Sequence, residues 1–165
     1  MRCIDKILSR RSIRKYKKEP IPEGVKTKIL EAGRQAPSAS NKQPWHFVVV
    51  TDPALKEKLS KGRWNSFIKD SCFTVVGVSL PFDQTSMKWG VVDVTIAMQN
   101  MVLAAEVQGV GSCWIGDFEE GEVKSLLGIP SEAEVVALLP FGLPDEKPGP
   151  KPKKELREIV HYDKW

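Results

Sequence analysis

A chain of 165 residues with 41% hydrophobic and 28% charged residues has the size and make-up of one globular domain. Such a chain buries about 68–70% of its unfolded surface and needs no staples. Its net charge of +4 suits anionic small molecules, while 21 acidic residues spread among 25 basic ones argue against a dedicated nucleic-acid surface. Cys3, Cys72 and Cys113 are far apart and form no C-x-x-C pair, which argues against a disulfide framework or zinc site and for reduced, cytoplasmic thiols. No apolar run approaches the ~20 residues of a membrane span, and no signal-peptide core accompanies Lys6, Arg10 and Arg11. The expectation is a cytoplasmic single domain over residues 1–165, with no membrane and no nucleic-acid partner.

Ile4, Ile7 and Leu8 stand at helical spacing. Residues 10–19 are polar and basic, a loop or extended link. Pro22 opens a helix with Val25, Ile29, Leu30 and Gly33 on one side, and Pro37 closes it. A strand comes next, over 46–51. Asp52-Pro53 starts a helix carrying Leu55 and Leu59, with the aspartate as N-cap. Residues 60–70 carry no clear pattern. The valine-rich stretch 72–80 predicts a strand, and 81–88 a turn or loop.

Residues 89–108 form the longest periodic segment, so apolar that the helix should be buried nearly all round, in a core or a subunit interface. Gly109 stops it. A short glycine-bounded piece occupies 111–116, a helix 119–127 ends at Gly128 and Pro130, and a central strand spans 134–143. Residues 144–152 hold four prolines and read as an extended linker. The tail carries Leu156, Ile159, Val160, Tyr162 and Trp165, too much apolar surface to stay free in water. The elements together predict a mixed α/β or α+β layer fold.

Two clusters carry chemistry. Arg10, Arg11, Ser12 and Arg14 offer guanidinium forks and a hydroxyl suited to a phosphate. A solvated basic face, or a nucleic-acid patch continuing through Lys15, Lys17 and Lys18, fits the same residues. The loop Pro37-Ser38-Ala39-Ser40-Asn41-Lys42-Gln43-Pro44 holds short donors and acceptors at a strand end, where they can face a flat heterocycle. A polar turn between helix and strand is the plainer alternative. One cluster for a phosphate and one for a ring suggest a nucleotide-like cofactor. Gly109 to Gly116 is no dinucleotide fingerprint, because Trp114 stands where the third glycine belongs and a helix precedes it. His46 and His161 read as structural, the five tryptophans as core or interface anchors. No metal-ligand spacing and no nucleophile–base pattern is present.

Five motifs in order resemble the FMN-dependent nitroreductase family: Arg10-Arg11-Ser12-Ile13-Arg14-Lys15-Tyr16, residues 36–47, Asp93 to Asn100 with Leu103-Ala104-Ala105, Gly109 to Gly116, and Glu158-Ile159-Val160-His161-Tyr162. The resemblance implies an α+β fold with a central, mostly antiparallel sheet wrapped by helices, in an intertwined homodimer with FMN at the subunit interface. Segment 144–165 would be a C-terminal extension docked on the partner subunit. Arg10, Arg11, Ser12 and Arg14 would hold the FMN phosphate. Pro37, Ser38 and Ala39 would pack on the isoalloxazine from the second subunit. Asn41 and Gln43 would position the ribityl chain or ring edge. Ile115 and Gly116 would approach N5. Lys153 and Lys154, with Lys151 as an alternative register, would reach the phosphate.

The implied activity is an NADH- or NADPH-dependent FMN oxidoreductase acting on nitroaromatic, quinone or flavin-like acceptors by ping-pong transfer, with no catalytic side chain assigned. A non-enzymatic FMN-binding or sensor protein, reductive dehalogenation and flavin breakdown are the alternatives. The chain is short for the family, with little room between residues 60 and 90 for the helical excursion that lids the flavin in larger members.

Overall fold

A computed structural model describes residues 3–165. In chain order it contains α1 (Cys3–Ser9), α2 (Glu23–Arg34), β1 (Trp45–Val50), α3 (Pro53–Leu59), β2 (Phe73–Ser79), α4 (Gln84–Val107), β3 (Gly111–Ser112), α5 (Glu120–Leu127), β4 (Glu134–Gly142) and α6 (Leu156–Ile159). Single 3₁₀ turns lie at Ala39–Asn41 and Ser66–Asp70, the second within the stretch whose sequence showed no pattern. The strands form one sheet in the order β1-β2-β4-β3. Every neighbouring pair is antiparallel.

β2 is buried along its whole length, which its valine-rich sequence of small and apolar residues allows. Its alternate residues serve two cores. Phe73 and Val75 face the layer formed by α2 and α4, with Ile29, Val94, Ala97, Met98 and Met101. Val76 and Val78 face the opposite layer, with Ile13, Tyr16, Leu59, Phe67 and Ile68. Phe73 and Phe141, on adjacent strands, stack at 5.0 Å. The caps match their residues: the Asp52 carboxylate accepts from the Leu55 amide at 2.8 Å, and Gly128 ends α5 in the left-handed region at φ 66°.

Element boundaries shift, and burial along the long helix differs from expectation. The helix placed at 89–108 begins at Gln84, so 81–88 is not a loop: Asp83 and Ser86 form a reciprocal capping box that adds more than a turn. The strand placed at 46–51 begins one residue earlier, at Trp45. The long helix is not buried all round. Its inward stripe from Ser86 to Ala105 packs on the sheet and α2, whereas Trp89, Val91, Val92 and Val107 are exposed in the single chain. At 24 residues α4 is also long and apolar enough to suit a membrane span, which no run in the sequence suggested; it packs here as a core helix. The tail, expected to dock on a partner subunit, does not pack within its own chain. Every residue from Lys151 to Trp165 is exposed, and His161 stacks only on Trp165, at 4.5 Å. Of the tryptophans, Trp45 is buried, while Trp64, Trp89 and Trp165 are exposed.

The amino-terminal arm, residues 10–17, lies along the sheet edge where Gly111 pairs with Gly142. The Ile13 amide donates to the Ser112 carbonyl at 2.9 Å, and the Lys17 amide to Leu143 at 2.9 Å. Both glycines are steric necessities. A Cβ on Gly111 would lie 2.8 Å from Ile13 Cβ, and one on Gly142 would lie 2.5 Å from the Tyr16 ring. Tyr16 cannot move aside, since it is buried and its hydroxyl donates to the Ile13 carbonyl at 2.7 Å. Gly142→Ala should therefore cost about 1–3 kcal/mol in urea unfolding, the range for overpacking a filled core. A stability equal to wild type would show that the arm is not held against this edge.

Candidate functional site

Docking of Ile13 and Tyr16 places the cationic cluster. Arg10, Arg11, Ser12 and Arg14 flank the two anchoring residues. They line a cavity of about 330 Å³ together with Leu8, Lys151, Lys153 and the Pro148–Pro150 segment. Arg10, Arg11 and Ser12 are half-buried and Arg14 is exposed. Arg11 turns one Nη back onto the Arg10 carbonyl at 2.8 Å, which leaves its other nitrogens to the cavity. Lys153 joins the cluster and so does Lys151; Lys154, also expected there, is not among the residues lining the cavity.

One contributor has no motif to announce it. The Glu146 carboxylate accepts from the backbone amides of Arg14 and of Lys15, the latter at 3.0 Å. It fastens the start of the proline-rich segment across the arm. The Asp145 amide adds a bond to the Lys15 carbonyl at 2.9 Å. Residues 144–146 are thus paired rather than free linker. Only the three-dimensional pairing of residues 131 and 132 positions apart reveals Glu146; nothing local in its sequence does.

The glycine-bounded segment runs beside this cluster, through the parallel bridge between Ser12 and Ser112. Cys113 is buried against it, and burial pushes its thiol up, opposed by the Arg14 charge. Ile115 is buried and pairs with Leu138 through two backbone bonds of 3.0 Å. Gly116 then emerges exposed, with nothing within 4 Å of where a Cβ would stand. Asn65, buried in the preceding layer, donates its Nδ2 to the Asp117 carbonyl at 2.8 Å and fixes the exit of this segment.

The Pro37–Gln43 loop does not reach the cationic cavity within the chain. None of its residues lines that cavity. Ser40, Asn41 and Gln43 adopt left-handed backbone at φ 49°, 55° and 51°. Ser38 Oγ accepts from the Gln43 amide at 3.0 Å, and Gln43 Nε2 donates to the Asn41 carbonyl at 3.2 Å. The loop is tied to α4 at two points. Asp93 Oδ1 accepts from the Ala39 amide at 3.0 Å, and Lys42 Nζ meets Asp83 Oδ2 at 2.6 Å.

The Lys42 ammonium and two bonds from Ser86 hold the Asp83 carboxyl down at about 2. A depressed carboxylate stabilises the fold above its unfolded pKa and loses that contribution as pH falls through the folded value. The difference in urea midpoint between wild type and Asp83→Asn should be constant above about pH 4 and close between pH 4 and 2. Both side chains are about one-third exposed, so added salt should shrink it. A difference that persists at pH 2 would contradict the pairing.

The description "Nitroreductase family" matches this chain over residues 7–71 and 78–143. The chain belongs to the nitroreductase family. A solved structure of an FMN-dependent nitroreductase from Clostridium difficile R20291 superposes with a TM-score of 0.87 at 28% identity, covering 98% of this chain and 99% of the other. The NADPH:FMN oxidoreductase of Vibrio harveyi, solved with NAD+, gives a TM-score of 0.92 at 29% identity over 99% of this chain and 77% of its own. A curated relative named iodotyrosine deiodinase, from Thermotoga neapolitana, is 29% identical over 92% of this chain and 91% of its own length. The nitroreductase-like α+β fold expected from the motifs is the fold observed.

Proposed function

We propose that this chain is an NAD(P)H-dependent FMN oxidoreductase working as a homodimer. The observation that carries the reading is the cavity in which Arg10, Arg11, Ser12, Arg14, Lys151 and Lys153 converge, with Ser12 bridged to Ser112 in the segment that leads to the open backbone at Gly116. The donor set fits FMN. A phosphate with nearly two negative charges suits guanidinium forks, ammonium groups and a hydroxyl. The open backbone at Gly116 accepts a flat ring at close range. When bound, FMN supplies the two-electron relay between a reduced nicotinamide and a flat, electron-poor acceptor.

The residues divide that work. Arg10, Arg11, Ser12 and Arg14 bind the phosphate, aided by Lys153 and Lys151, with Lys154 further out. Ile115 and Gly116 bring their backbone to the reacting edge of the ring. Pro37, Ser38 and Ala39 cover the ring from a second copy, and Asn41 and Gln43 present amides to its polar edge or the ribityl chain. That division explains why the loop and the cationic cavity lie apart in one chain. It also gives the exposed face of α4 and residues 151–165 of the 144–165 extension, all exposed, a common purpose: burial against the second copy. The cationic groups favour negative charge as it develops on the reduced ring. Dependence on a reduced nicotinamide accords with a cytoplasmic protein.

Arg10→Ala should weaken FMN binding about tenfold, the scale of one charge-assisted bond, and leave riboflavin binding unchanged because riboflavin lacks the phosphate. Equal affinities of variant and wild type for FMN would remove Arg10 from the phosphate site. The FMN-loaded protein should bleach anaerobically with NADH or NADPH, and its initial-rate plots at several quinone concentrations should be parallel lines. Failure to bleach would leave a passive flavin binder. The deiodinase relative makes reductive dehalogenation the second reading; turnover of an iodophenol but of no quinone or nitroaromatic would favour it.

A further inference from the structure

We infer that Asp93 is a positioning residue for the flavin: its buried carboxylate, through the Ala39 amide, sets the loop that covers the ring. This rests on the reading of residues 37–43 as the ring-covering loop. Asp93 lies on the inward stripe of α4, 3% exposed, next to Val94 and Ala97, both fully buried. An acidic group there is costly unless bonded. Oδ1 accepts the single bond from Ala39 at 3.0 Å, and Oδ2 is buried with no hydrogen-bond partner among the described residues. Nothing in the packing of an apolar helix calls for this residue type. The bond it makes is to the first residue of the Ala39–Asn41 turn.

The backbone beyond Ala39 needs an anchor. Ser40, Asn41 and Gln43 are three left-handed, non-glycine residues within four positions, a sparsely populated conformation that neighbours must hold. Gly90, one turn before Asp93, lets α4 pack closely on β2: a Cβ there would lie 2.3 Å from Ser79 Oγ, with Pro44 Cγ at an ordinary 3.7 Å. Asp93, on the same helix, supplies the acceptor that fixes the first amide of the turn. The second tether, Lys42 to Asp83, holds the far side of the turn at the start of the same helix.

The bond can be broken from either end. Asp93→Ala removes the acceptor. Ala39→Pro removes the donor without touching α4, and Ser38 already has the extended backbone (φ −137°, ψ 158°) required before a proline. Asp93→Asn keeps an oxygen for the amide. In the flavin-free protein, hydrogen exchange at the Ala39 amide should rise at least tenfold in Asp93→Ala and stay near wild type in Asp93→Asn.

In the FMN-loaded protein, Asp93→Ala and Ala39→Pro should each shift the visible band and midpoint potential of bound flavin. Each should weaken FMN and riboflavin by the same factor, about tenfold, and the double variant should be no worse than either single one. A purely structural Asp93 would lower melting temperature in Asp93→Ala while Ala39 exchange, spectrum and potential stayed as in wild type, and that result overturns the proposal. If Asp93→Ala fails to fold, Ala39→Pro decides: wild-type spectrum and potential overturn it. A wild-type protein that takes up no flavin would defeat the functional reading instead, and the exchange measurement would still judge the Asp93 tether.

Discussion

Ile13 and Tyr16 pack directly over the cross-strand pair Gly111 and Gly142, and that contact sets the position of Arg10, Arg11 and Arg14. The arm that carries them is too polar to bury itself. It is held by two apolar side chains, by a backbone bridge to Ser112, and by the Glu146 carboxylate closing over the Arg14 and Lys15 amides. Only with the arm in place do Arg10, Ser12 and Arg14 share a cavity with Lys151 and Lys153, residues some 140 positions away in sequence. The same contact draws the Gly111–Gly116 segment beside the cluster. In the proposed site, phosphate recognition and the approach to the ring thus depend on one contact.

α4 organises the other half of the site. Its inward stripe forms the core with α2 and the sheet, while Asp93 and Asp83, the cap at its start, hold opposite ends of the 38–43 turn. Its outward face is left with Trp89, Val91 and Val92 in water. The outward face of this apolar helix and the exposed apolar tail are the surfaces that the proposed homodimer would bury. The separation of the loop from the cationic cavity has the same explanation.

Much of this was legible in the sequence because it is written in local chemistry. The valine-rich sequence of β2, the Asp52-Pro53 start of α3 and the Gly128 stop of α5 are each decided within a few residues. The cationic cluster and the Pro37–Gln43 loop announce themselves by residue type. What stayed hidden is non-local. Glu146 acts across more than 130 residues, and Asp93 looks like any aspartate in a helical segment until the Ala39 amide is placed against it. The start of α4 was missed for a subtler reason. Asp83 and Ser86 satisfy one another's backbone groups, and the signature differs from the commoner glutamate box. The tail illustrates a further limit: its composition demands burial, but a single chain cannot show where.

The most direct measurement is a crystal structure of the protein with FMN. The account predicts the phosphate within hydrogen-bonding distance of Arg10, Ser12 and Arg14 of one copy, with the isoalloxazine covered by the Pro37–Asn41 loop of a second. An FMN held wholly within one chain, or with its phosphate away from this arginine cluster, would contradict it.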